Sequence, residues 1–496
     1  MDYSIHQVSN DDDQVSPQVL KLLRKCTILP TVVAQGTGYF PFTCSSDKNK
    51  LHFSPRNVHF INLIFHSVVG TICPLFCIYN MDVHERLASD WSTTEKFAYG
   101  MIFNIISISK GLIRGFSLTQ RSEIMKFHTK FNATLVHIFS THIKRQASSE
   151  DNYSTTRSYE RKQNLAISAL ERLLSQKVQQ PLGCVWILLI VLESLVFPMI
   201  VILLVRFVND GVALDKKDLS VGKVAICMGA MALCMLTGVL YSTFLYWLVA
   251  IIHCMEVGFL LLGEDTGISE GGGAGSTPST STIAITFPSE CLDLGVEEGN
   301  VTTEAGNLLE LCPISSNETT IRGQKRSEGR GDLAIFATNF SLLEALVKEF
   351  NAVFKYHISV ILLGCCCSWV LHSFVLINAG MKEGIHFMGT LVLALWTILD
   401  TVGIVSICNA SSQLAHQAQR SIELMRDEAV KHLDTDLVNA IRVQIHLTTS
   451  LANPVFIVPG NYFVLRRSTI ISIYAVMVTY VFVVLQFQDA ERKNRL

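Results

Sequence analysis

Two groups of residues in this chain have types and spacings that could do chemistry, and in neither group is that chemistry the making or breaking of bonds. The first lies in 470–487, IISIYAVMVTYVFVVLQF, a stretch of 18 residues without a charge. Thr479, Val483 and Gln486 recur there at helical spacing, so one helix face carries a hydroxyl, a small apolar group and an amide. The length is about what crosses a bilayer core as a helix. An amide inside such a span turns toward protein or water rather than lipid. The helix therefore lines a water path or packs inside a bundle.

The second group is spread over other apolar stretches. Glu193 and Asp400 are acids within apolar helices. Such residues either bind and gate, or are protonated or paired carboxyls that lock helices together. Trp396 and Asp400 are four residues apart and must face the same way, and Trp369 and His372 lie on adjacent turns. Rings that cover CH faces, beside a carboxylate and an imidazole that take hydroxyls, suit a small polar ligand. The plainer reading makes each tryptophan a core or interface-belt residue. Catalysis finds no support: the histidines are spread out, no HExxH occurs and no glycine loop opens a helix after a strand. No nucleophile, base and orienting group can be assembled. No cofactor is expected, and no metal, since Cys365, Cys366 and Cys367 are consecutive and radiate around a helix.

The elements that must position these groups are membrane spans. Of 496 residues, 49% are hydrophobic and only 17% charged, and the mean hydropathy is +0.36. A soluble chain of this length carries more charge. The expected fold is all-α, a polytopic membrane protein with seven spans. A segment 1–57, amphipathic near 20–33, precedes spans one to four in 58–263. These include 58–80, 97–116, 182–208 with Glu193 and Pro198, and 222–263, which outruns the bilayer. Lys110 and Arg114 near the end of the second span are expected to snorkel to the interface. A helical connection, 117–181, joins spans two and three, with Leu165, Ala169, Leu170, Leu173 and Leu174 at helical spacing. The stretch 264–332 contains GGGAGSTPSTST and reads as a disordered linker. Spans five and six occupy 333–408. A long amphipathic helix, 409–451, with pairs such as Asp427 and Lys431, belongs to an anchor and turn, 409–466, before the last span in 467–488.

Charge sets the orientation. The segments 1–57, 117–181 and the approach to the last span hold about twenty Lys and Arg, while the alternate loops hold Arg86, Lys96, Lys216, Lys217 and Lys382. The positive-inside rule places the N-terminus in the cytoplasm and, after seven spans, the C-terminus outside. No secretory signal is legible in the first 20 residues, so the first span would act as the insertion signal. The 14 cysteines fall in spans or cytoplasmic segments, which argues against a disulfide scaffold. Lys and Arg number 40 against 42 Asp and Glu, a balance that implies no nucleic-acid partner.

Thr479-Tyr480, five hydrophobic residues, then Gln486-Phe487 resembles the TYhhhhhQF signature that closes the insect gustatory receptors, and 460–469 resembles that family's approach to its last helix. The resemblance implies a tastant-gated, non-selective cation channel in the plasma membrane of sensory neurons. It implies a homotetramer, or a hetero-oligomer with related receptors, embedded in lipid. By the same resemblance Thr479, Tyr480, Val483, Gln486 and Phe487 form the pore and gate, with Gln486 and Phe487 the narrowest ring. The ligand, a sugar or a bitter compound, would sit among helices two to six near Glu193, Trp369, His372, Trp396 and Asp400. Val481 stands where the sugar-sensing branch often carries Glu. Two rivals are a G-protein-coupled receptor, opposed by the inverted charge bias, and a secondary transporter, opposed by the absence of repeated halves.

Overall fold

The computed structural model describes residues 15–36, 38–44, 51–79, 93–148, 156–181, 183, 242–264, 328–381, 387–431, 437–452 and 454–495. Glu193 and Pro198, the third span, the first half of the fourth and most of the linker lie outside the described residues. Among those described, five helices are long and apolar enough to cross a membrane.

The first helix, α1 (Val15–Gly36), buries Val19, Leu23, Cys26 and Pro30 on one face. That face lies against the fourth span, where the Trp247 indole donates to Thr31 Oγ1 at 3.2 Å. The chain then folds through Tyr39, Phe40 and Phe42, all fully buried, into a two-stranded antiparallel hairpin, β1 (Thr43–Cys44) with β2 (Leu51–His52). The expected first span falls on α2 (Val58–Tyr79), which is not among those five because its described side chains form only a shorter apolar stretch, Val58–Val69. Its exposed residues include Val58, Ile61, Ile64, Phe65 and Val68, apolar groups that a bilayer covers.

The second span, α3 (Thr93–Thr119), departs from expectation at its lower end. Lys110 and Arg114 do not snorkel; both are buried. The Arg114 guanidinium lies 4.6 Å from the Tyr39 ring centre and donates to the His66 carbonyl at 3.1 Å. A ring face and a backbone carbonyl replace water there, so the cation stays inside the protein.

After α3 come α4 (Arg121–Ser148) and α5 (Thr156–Leu174), in the stretch expected to connect spans two and three, and α5 runs into a π-helical turn, Ser175–Gln179. The buried stripe of this segment is Ala166, Leu170, Leu174 and Val178. Leu165 and Ala169, expected on it, are exposed, because the i, i+4 row faces inward and its neighbours do not. The fourth span continues as α6 (Ser242–Glu264). It is buried all round and apolar except at His253 and Glu256, whose side chains pair with each other at 2.7 Å while Lys177 reaches Glu256 at 3.3 Å.

Two helices dominate the remainder. α7 (Glu328–Met381) has 54 residues and α8 (Phe387–Lys431) has 45, roughly 80 and 70 Å at 1.5 Å per residue. Both exceed twice a hydrocarbon core of about 30 Å, so both continue beyond the bilayer. The expected amphipathic helix over 409–451 is therefore two elements. Its first half is the tail of α8, and its second is α9 (Leu437–Ala452). Asp427 pairs with Arg426 at 3.5 Å, while the Lys431 side chain lies outside the described ones.

The extramembrane ends of α4, α6 and α7 share a core of rings, with Phe127 meeting Phe354 edge-on at 5.3 Å and Phe259 meeting Phe340 edge-on at 5.4 Å. Inside it, burial pushes the His128 pKa down to about 4. Neutral His128 Nδ1 thus accepts from Asn132 Nδ2 at 3.1 Å. This hydrogen bond bears on topology. The sequons at Asn132, Asn152, Asn300 and Asn317 all fall in segments assigned to the cytoplasm, and the Asn132 amide is also buried. None should carry sugar. A band shift on endoglycosidase treatment that traces to Asn152, Asn300 or Asn317 would invert the orientation.

A docked turn delivers the chain to its last helix. Asn351 of α7 donates to the Phe456 carbonyl and accepts from Val458 N–H, at 2.6 and 3.1 Å. Ser411 of α8 donates to the Leu465 carbonyl at 2.9 Å. Gly460 has φ of +57°, where a Cβ would be strained and would crowd the exposed Tyr462 ring and Ser359 Oγ, so glycine is favoured there. The last span, α10 (Arg467–Arg495), follows.

Candidate functional site

Four of the five ligand-pocket candidates come together. On α7, buried His372 lies with its ring centre 5.2 Å from that of Trp396 on α8. Its Nδ1 is 3.1 Å from Ser368 Oγ and 3.5 Å from Asp400 Oδ2. Trp369, one residue after Ser368, donates its indole N–H to Thr401 Oγ1 at 3.1 Å. Its ring meets the Tyr474 ring edge-on, with centres 5.7 Å apart. Tyr474 belongs to α10. The pocket candidates are therefore in contact with the helix that carries the gate candidates. Glu193 lies outside the described residues.

The cluster is polar and incompletely satisfied. His372 Nε2, Trp396 Nε1, Asp400 Oδ2 and the Tyr246 hydroxyl are buried without a hydrogen-bond partner among the described residues, while the Tyr474 hydroxyl lies beside Thr401. Both tyrosines lie within electrostatic reach of Asp400. Each unpaired buried polar group costs about 1–3 kcal/mol. Together they offer an indole donor, a carboxylate acceptor, two hydroxyls that do either, and aromatic faces between them. That inventory matches a compact molecule bearing several hydroxyl or carbonyl groups. No group of three His, Cys, Asp or Glu able to hold a metal occurs among the described residues.

All five gate candidates fall on one side of α10. Thr479, Tyr480, Val483, Gln486 and Phe487 are exposed in the isolated chain. The opposite arc, with Ile473, Tyr474, Met477, Val481, Val484, Leu485 and Gln488, turns toward the bundle. Val484 and Leu485 pack beside Ala98, Ile102 and Phe374. At the outer end the Glu491 carboxylate accepts from Thr93 and Thr94 N–H at 2.8 and 3.1 Å and from Thr94 Oγ1 at 2.8 Å, which caps α3. α10 is thus held along one face and free along the other. Ala475 continues the exposed stripe one turn before Thr479.

Sequence reasoning missed Tyr246, Ser368, Thr401 and Tyr474. Thr401 follows Asp400 directly, and Tyr474 shares the last span with the gate residues, but a tyrosine or threonine in an apolar run carries no signal by itself.

Residues 306–491 match the sequence profile of the family described as 7tm Chemosensory receptor. The match begins within the stretch read as a linker and covers α7 to α10. No curated protein matches the sequence. In fold, the chain is similar to the insect olfactory receptor OR5 from Machilis hrabei, with a TM-score of 0.50 and 12% identity, covering 94% of this chain and 99% of that one. The same receptor solved in complex with eugenol aligns with a TM-score of 0.47 at 12% identity, over 94% and 99% of the two chains. The chain is an all-helical, multi-pass membrane protein with a fold like that of an insect olfactory receptor. Over residues 306–491 its sequence is similar to the chemosensory-receptor family.

Proposed function

We propose that this protein is a gustatory receptor: a tastant-gated, non-selective cation channel of the sensory-neuron plasma membrane, built from four copies around a pore lined by α10. The observation that carries this reading is the contact between Trp369 and Tyr474. It joins a buried, under-satisfied polar cluster to a helix whose far face is free and carries Thr479, Val483 and Gln486. A ligand that pairs with Asp400, His372 and Trp396 reorders the α7–α8 contact. Through Trp369, Thr401 and Tyr474 that change reaches α10, so ligand binding and the position of the gate helix are coupled.

Oligomerisation follows from what the single chain leaves uncovered. Phe482, Val483 and Phe487 on α10 are exposed, as are Ile441 and Ile445 on α9. The α9 pair lies on the side assigned to the cytoplasm, where water penalises it and a second copy would cover it. The taste assignment rests on the TYhhhhhQF match in the last span, and the ligand class on the donor and acceptor inventory of the cluster. Expressing the full chain and screening sugars and alkaloids by calcium imaging, followed by excised-patch recording, tests the reading. Ligand-evoked current in cell-free patches is the expected result. Uptake of the ligand without current, in protein shown to reach the surface, would favour a transporter.

A further inference from the structure

A cavity of about 810 Å³ opens on the outward side of the bundle between α3, α7 and α10. It is separate from the buried polar cluster. Phe97, Leu363, Cys367, Val370, Val476 and Val484 are among its walls, and several of them rank with the most exposed apolar residues of the chain. On α10 the lining extends from Ser468 to Val484, roughly 24 Å at 1.5 Å per residue. Its α10 hydroxyls gather toward the lower end, at Ser468, Thr469 and Ser472, with only Tyr480 higher up. Just beyond that end stand Arg466 and Arg467, both exposed. The Arg466 guanidinium stacks on Phe456 at 4.3 Å, and no described carboxylate pairs with either arginine.

We propose that this groove binds a phospholipid of the cytoplasmic leaflet, with an acyl chain laid along α10 and an anionic headgroup held by Arg466 and Arg467. All three walls are membrane spans, and the exposed apolar side chains of Phe97, Leu363 and Val476 suit a mouth that meets hydrocarbon rather than water. An elongated apolar channel with hydroxyls and two cations at one end is complementary to a chain with a charged head. It is less complementary to a compact ring. A second copy's last helix is the competing occupant, but 468–488 carries no acid in any copy, so it would leave the arginines unmatched. The inner leaflet supplies anionic lipid, and two juxtamembrane cations increase its retention roughly thirtyfold. The headgroup placement rests on the cytoplasmic N-terminus proposed above, which the sequon test examines independently. A chain seated there touches Met477 and Tyr480, so headgroup chemistry would bias where α10 settles.

The test uses full-length protein in nanodiscs of phosphatidylcholine, with or without a minor fraction of phosphatidylglycerol. Each lipid is offered as a photoreactive analogue with a diazirine in the acyl chain, and labelled peptides are located by mass spectrometry. Phosphatidylglycerol should label the α7 and α10 walls at least roughly tenfold more than phosphatidylcholine does. Arg466→Gln with Arg467→Gln should erase that preference, the paired Lys variants should keep it, and Ser472→Trp should block both lipids. Monodisperse elution of each variant shows that it is folded. Equal labelling by the two lipids, or labelling no stronger in the groove than at Ile61 and Phe65 of α2, would overturn the proposal. So would a disulfide between copies carrying Val476→Cys, which would place a second copy in the groove.

Discussion

Gln486→Arg is expected to reduce cation current by more than tenfold while the protein still assembles and reaches the surface. In the proposed tetramer, four copies would place four guanidiniums around one axis. At about 10 Å and an effective dielectric near 20, each repels a passing cation by roughly 1.7 kcal/mol, and four together by roughly 6.6. Water in the pore and salt reduce this. A fourfold discount still leaves roughly 1.7 kcal/mol, more than tenfold in current. Assembly of each subunit should survive because Gln486 is exposed in the single chain. Phe487→Ala should act in the opposite sense, removing exposed apolar bulk and raising leak in the absence of ligand. Val484, about 160° from Gln486 on a 100° step, packs against Ala98, Ile102 and Phe374. Val484→Ala should therefore leave relative ion permeability unchanged, at the cost of some packing. Equal permeability changes at Val484 and Gln486, measured by reversal potential, would mean that the exposed face of α10 does not line the pore.

Which parts of this arrangement the sequence discloses follows from the range of the interactions involved. The outward face of α10 is legible because a helix repeats its faces at a fixed spacing, and Thr479, Val483 and Gln486 need no partner to be found. Trp396 and Asp400 share a face for the same reason. That His372 meets both is not local information. It depends on the register of α7 against α8, which the packing of two long helices sets. Arg114 shows the limit from the other side. Its distance from a span end suggests snorkelling, but Tyr39 and the His66 carbonyl arrive from distant segments and hold it inside. The long helix 409–451 was divided for a related reason: its amphipathic period continues through the break after Lys431, and periodicity alone does not locate a chain reversal. Glu491 over the start of α3 joins residues 398 apart in sequence, and no pattern in either segment announces it.

The second large effect concerns Asp400. Asp400→Asn should raise the ligand concentration for half-maximal response roughly thirtyfold, with maximal current retained. The carboxylate is half-buried, and its Oδ2, 3.5 Å from His372 Nδ1, has no hydrogen-bond partner among the described residues. A hydrogen bond from a ligand hydroxyl to a charged acceptor contributes about 1.5–3 kcal/mol, and 2 kcal/mol is roughly thirtyfold. The amide is nearly isosteric, so the α7–α8 contact should persist. Trp396→Ala is a poorer probe, because emptying a buried indole costs about 3–5 kcal/mol of stability whatever the ligand does. Trp396→Phe keeps the ring against His372 and removes only the unpaired N–H, and should cost less than Asp400→Asn. Tyr474→Phe separates binding from coupling. If Tyr474 transmits through its ring contact with Trp369, the variant responds almost normally, whereas Tyr474→Ala loses maximal current with the half-maximal concentration little changed. Dose–response curves on surface-labelled cells distinguish these cases. If Asp400→Asn lowers only the number of channels at the surface, with the curve unshifted, the cluster locks helices together and the ligand binds elsewhere.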